Sequence, residues 1–128
     1  MKIIPTILEK DFNEAERRLS QLIGKVAWVQ VDVIDGFFTS GKTFELELLS
    51  RSEWDTDRLL LDIHLMVKKP EKWLEKSLFA GAARVIGQVE MMTDRAGFIR
   101  TAKNMGLEAG IAFDIDTKID DIPEDTDE

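Results

Sequence analysis

Short runs of branched apolar residues alternate along this chain with stretches in which apolar side chains recur at helical spacing. That alternation is the pattern of βα units laid on a parallel sheet. It predicts strands near residues 2 to 8, 28 to 35, 59 to 66, 84 to 90 and 108 to 113. Between the first two, Phe12, Ala15, Leu19, Leu22 and Ile23 fall on one helical face. Asp11 with Glu14 offers a capping-box start and Gly24 a stop. Pro70 suits a first helical position, with Leu74 and Leu78 behind it and Gly81 as the stop; Phe98, Ile99, Ala102 and Met105 before Gly106 repeat the scheme. The segment from Thr43 to Asp57 is less regular and predicts only a short helix around Phe44 to Leu49.

Parity within the strands separates two architectures, because alternate side chains of a strand face opposite ways. Val29, Val31 and Val33 share one face, and Gln30, Asp32 and Ile34 the other. Leu59, Leu61, Ile63 and Leu65 oppose Leu60, Asp62, His64 and Met66; Val85, Gly87 and Val89 oppose Ile86, Gln88 and Glu90; Thr6 stands between Ile4 and Leu8. A doubly wound sheet is covered on both faces and wants both apolar, whereas a barrel buries one face under helices and gathers polar groups inside its mouth. The parity therefore predicts barrel geometry, with any site at the carboxyl ends of the strands. Five units fall short of the roughly eight units and roughly 250 residues of a closed barrel. The expected architecture is α/β, a partial (β/α)8 TIM barrel of about five βα units on a parallel sheet, with residues 1–128 as a single incomplete domain.

Composition narrows the partners. The chain has 128 residues, no cysteine and a formal net charge of −8. Missing cysteines exclude disulfides and thiolate metal sites, and the negative balance argues against nucleic acid or an anionic membrane, which need a basic footprint. No apolar run is long enough to span a bilayer and the start lacks a secretory pattern, so a cytoplasmic location is expected. The acidic end from Asp120 to Glu128 reads as solvated chain. Trp28, Trp54 and Trp73 read as packing residues, and Asp114 and Asp116 as solvated acids.

Asp32, Asp35 and Gly36 at the end of one strand, with His64 and Met66 at the end of the next, place a carboxylate and an imidazole before the same space. Asp62 sits one layer deeper and is expected to make a structural hydrogen bond; Gln88 and Glu90 are expected to line the pocket. These residues resemble the ribulose-5-phosphate 3-epimerase family. The resemblance runs through Ile4-Pro5-Thr6-Ile7-Leu8 with Asp11-Phe12, Val31-Asp32-Val33-Ile34-Asp35-Gly36-Phe37-Phe38, Thr43-Phe44, Leu61-Asp62-Ile63-His64-Leu65-Met66 with Pro70-Glu71, Ala80-Gly81-Ala82, and Gly106 through Gly110 to Thr117. It covers nearly the whole chain.

The resemblance implies a (β/α)8 barrel that inverts C3 of a pentulose 5-phosphate, moving the proton α to the ketone between two aspartates across an ene-diolate. It implies Asp32 as one acid/base, Thr6 and Met66 as substrate-binding residues, and a divalent metal, zinc, iron or manganese, held by Asp32 and His64 with Gln30 at a third ligand position. Gln30 stands where the family has a metal histidine, and Gln88 where it has a further histidine. The second catalytic aspartate and the phosphate-binding glycine turns would lie beyond Glu128, so inversion by this chain alone is not expected. Two readings follow: an epimerase-type partial barrel acting on a sugar phosphate, or a non-catalytic relative that binds a small ligand or self-associates. Open sheet edges predict a homo-oligomer that buries Ile4, Leu8, Ile111 and Phe113.

Overall fold

Five strands, β1 (Thr6–Ile7), β2 (Trp28–Ile34), β3 (Leu60–Met66), β4 (Ala82–Gln88) and β5 (Glu108–Ala112), form one sheet in the order β1-β2-β3-β4-β5. Every adjacent pair is parallel. The computed structural model describes residues 2–51 and 58–128; Trp54 and the end of the Thr43 to Asp57 segment lie outside the described residues. A doubly wound sheet reverses its strand order at a switch point, whereas sequential order with crossovers of one hand stacks all helices on one face. The sheet is thus that of a partial barrel, as the parity predicts.

Helix-facing residues form the core. Val29, Val31 and Val33, then Leu61, Ile63 and Leu65, then Val85, Ala109 and Ile111 are buried. They pack beneath α1 (Phe12–Leu22), α2 (Leu74–Phe79) and α3 (Arg95–Asn104), which contribute Ala15, Leu19, Leu74, Phe98, Ile99 and Ala102. Asp11 caps α1 by accepting from Asn13 N at 3.1 Å. The reciprocal arm of the expected capping box is not made: Glu14 is turned outward to Arg17 and Arg18, whose hydrogen bonds, Arg17's foremost, hold its carboxyl down at about 2. Pro70 opens a 3-10 turn, Pro70–Trp73, that runs into α2.

Two expectations are corrected. The segment after β2 forms a 3-10 helix at Leu46–Arg51 in place of a helix around Phe44 to Leu49. Its buried residues Leu46 and Leu49 are three apart, and a three-residue turn stacks them on the same side. The acidic end is solvent-exposed over most of its residues, as expected, but it is not free chain. Asp127 N donates to Ala109 O at 2.8 Å, Ala109 N to Asp127 Oδ2 at 3.0 Å, and Ile111 N to Glu128 O at 3.0 Å. Lys103 reaches Asp127 at 2.9 Å and Arg95 bonds Asp120, so residues 120 to 128 fold back over α3 and the free edge of β5.

That return changes the expected contact surface. Ile111 is already in the helix-side core, and Phe113 lies 5.3 Å beneath the Arg95 guanidinium. Of the four residues expected at a shared interface, Leu8 is exposed and Ile4 half-buried. Among the described residues no helix is long and apolar enough to cross a membrane.

Candidate active site

Strand register arranges the inner face in rows. Thr6 pairs with Gln30, Gln30 with Asp62, and Asp62 with Arg84, which is opposite Glu108. One row further toward the carboxyl ends Asp32 pairs with His64, and beyond it Ile34 with Met66. In the lower row Arg84 Nη2 donates to Asp62 Oδ2 at 2.8 Å, with Asp62 1% and Arg84 5% exposed. Trp28 places its ring 4.6 Å from the guanidinium, and Glu108 and Glu128 approach its other side at 3.6 and 3.7 Å. Asp62 therefore makes the structural contact expected of it. Its partner Arg84 is not singled out by the sequence reading, although a lone basic residue inside Ala82-Ala83-Arg84-Val85-Ile86 is the signal that a buried acid lies opposite.

From the Asp32–His64 row a chain of hydrogen bonds crosses three strands, reaching back one row to Gln30 and on to Gln88. Gln30 Nε2 donates to Asp32 Oδ1 at 2.8 Å, and His64 Nδ1 meets the same oxygen at 3.2 Å. His64 Nε2 lies 2.9 Å from Gln88 Oε1. Glu90 Oε1 accepts from Asp114 N at 2.7 Å. Both ring nitrogens of His64 stand against acceptors. Burial lowers the His64 pKa, but the hydrogen bonds to Asp32 and Gln88 and the charges of Asp32 and Asp62 outweigh it and leave the pKa raised. For Glu90, burial works upward and is outweighed by the bonds from Thr117 and the Asp114 amide, so its carboxyl sits below its usual value.

Asp32 is anchored through one oxygen only. Among the described residues no hydrogen bond reaches its Oδ2. Asp35, just past the end of β2, is held through both oxygens. Its Oδ1 accepts from Phe37 N at 3.1 Å and its Oδ2 from Lys68 N at 2.9 Å, strapping the loop after β2 to the loop after β3. Met66 is half-buried opposite Ile34 and Thr6 is exposed beside Gln30; register and parity bring both to the inner face. Beside it, at the ends of β1 and β2, Leu8, Lys10, Asp11, Ile34, Lys42 and Thr43 border an open cleft of about 600 Å³.

The donor set does not suit the divalent metal that the resemblance implies. Among the described residues no group of three or more histidine, cysteine, aspartate or glutamate side chains can hold a metal ion. Gln30 turns its amide nitrogen to Asp32, and the imidazole has both nitrogens engaged. A carboxamide is in any case a poorer ligand than imidazole for zinc or iron.

The model for the ribulose-phosphate 3 epimerase family matches residues 2–127. The chain belongs to the ribulose-phosphate 3-epimerase family. Relatives named ribulose-phosphate 3-epimerase include one from Chlamydia pneumoniae, 31% identical over 75% of this chain and 42% of its own length. One from Mycobacterium bovis is 32% identical over 86% of this chain and 47% of its own, and one from Treponema pallidum is 31% identical over 87% and 51%. The chain spans about half the length of the curated relatives it matches. Within this family, the five sequential parallel strands read as the first five of a barrel, with the Asp32–His64 pair at the end where TIM barrels carry their chemistry.

Proposed function

We propose that this chain supplies the amino-terminal strands and one acid/base, Asp32, of a site for proton transfer at C3 of a pentulose 5-phosphate. The observation that carries the reading is the half-anchored carboxylate: Oδ1 is held by Gln30 and His64, while Oδ2 is left open at the carboxyl end of β2. A base must be fixed against the carbon acid with one oxygen unencumbered. Asp32 Oδ2 takes the proton from C3, the C3–H electron pair moves into an ene-diolate, and return of the proton to the same face restores ribulose 5-phosphate. Inversion needs an acid on the other face. Asp35, Asp62 and Glu90 are each committed elsewhere, to the loop strap, to Arg84 and to the Asp114 amide.

The test is ribulose 5-phosphate incubated with the chain in deuterium oxide and followed by proton NMR. Deuterium is expected to enter C3 without accumulation of the C3 epimer, and Asp32→Asn should slow the exchange by about 100- to 10,000-fold. Exchange no faster than in buffer overturns the catalytic reading. A second reading, a non-catalytic relative that binds a small ligand, is favoured by His64 having neither ring nitrogen free. Saturable ribulose 5-phosphate binding without exchange would select it.

A further inference from the structure

We propose that residues 120–128 guard the outer edge of β5, standing where a further strand would pair and so keeping that edge from β5 of a second copy of this chain. A strand with unpaired amides and carbonyls is a template for another chain. The edge at β1 is only two residues long and blunted by its shortness, whereas β5 runs for five. Such an edge is self-complementary about a two-fold axis, which makes a second copy the partner it fits.

The guard meets that template in kind. Asp127 donates its backbone N–H to Ala109 O and accepts the Ala109 N–H on its own carboxylate, and Glu128 O accepts from Ile111 N. The order Asp127 then Glu128 against Ala109 then Ile111 runs in the same sense as β5, the sense of an added parallel strand. Gly110 is fitted to the contact, since a Cβ there would stand 2.6 Å from Glu128 O. Its φ is not positive, so the missing side chain serves the close approach of another backbone and not a special conformation. Six of the nine residues from Asp120 to Glu128 are acidic and one is proline, so two guarded edges repel and the guard is a poor template in its turn.

Two point variants of the full chain release the guard by different routes. Gly110→Ala sets a Cβ against Glu128, and Asp127→Ala removes the carboxylate that Ala109 N and Lys103 share. Asp127 belongs to no strand or helix, so its variant decides the matter if Gly110→Ala does not fold. In sedimentation velocity over a concentration series, each variant is expected to dimerise at least about tenfold more tightly than the parent, the factor that one or two net hydrogen bonds supply. Concentration-dependent NMR shifts in the variants are expected at the Ala109 and Ile111 amides and not in the parent. A folded variant that associates no more tightly than the parent overturns the proposal. Tighter association whose shifts fall elsewhere on the chain overturns it as well.

Discussion

Arg84→Met is expected to lower stability by about 3–5 kcal/mol, the range for removing one partner of a buried ion pair. The change strands Asp62, 1% exposed, on the inner face with no cation against it. Methionine preserves most of the stem that packs on Trp28, so the loss is electrostatic more than steric. The pair itself is expected to add little net stability, because among the described residues Asp62 Oδ1 and Arg84 Nε are buried without hydrogen-bond partners. Burying polar atoms unpaired costs free energy that the single 2.8 Å contact only partly offsets. The double variant Asp62→Leu with Arg84→Met should accordingly recover most of the stability that the single change removes. Urea unfolding of the three chains checks this. A single variant within about 1 kcal/mol of the parent would mean that the row is hydrated, since exposed pairs are worth no more than that.

Phe98→Ala should cost about 3–5 kcal/mol, through lost transfer free energy and the cavity left behind. Phe98 is the main anchor of α3, 1% exposed, and its ring packs directly on the backbone of β4 at Gly87. A Cβ at Gly87 would stand 2.9 Å from the ring tip. The space a Gly87 side chain would take is filled by the Phe98 ring together with the end of Met92. Phe79 is the control: it lies on α2 at 78% exposure, and Phe79→Ala should stay within about 0.5 kcal/mol of the parent. Thermal unfolding of both variants distinguishes them, and equal effects would place Phe98 outside the core.

Strand positions and the sense of the sheet are legible in the sequence because a period of two is a local property. Val29, Val31 and Val33 announce a buried face within five residues, and Gln30 and Asp32 announce the other. The Asp32–His64 pairing is legible for the same reason, once parity puts both on one face at the ends of neighbouring strands. What escapes is non-local or depends on hydrogen-bond direction. Arg84 gains meaning only beside Asp62, which lies 22 residues away in the chain. The pull of Arg17 and Arg18 on Glu14 competes with the capping box that the spacing suggests. Asp94 caps α3 through Gly97 N at 2.8 Å, and Asp94-Arg95-Ala96-Gly97 carries that start signal beneath the more prominent apolar spacing of Phe98, Ile99 and Ala102. Gln30 looks in sequence like a weakened metal ligand and Gln88 like pocket lining; only the structure shows the first donating to Asp32 and the second with its oxygen against His64.

The fold-back of Asp127 and Glu128 onto β5 divides the sheet into amides of two lifetimes. The amides of Ala109 and Ile111 are sheltered by bonds to residues that belong to no strand or helix. Those of the central strands can exchange with solvent only when the whole sheet opens. In a hydrogen-exchange experiment, Ala109 and Ile111 are expected to exchange through detachment of the last residues alone, well before Val31 or Ile63. Weakening the Lys103–Asp127 contact should hasten those two positions and leave the centre unmoved. The outer edge of β5 would then behave as a latch with its own opening equilibrium, separate from the unfolding of the barrel strands behind it.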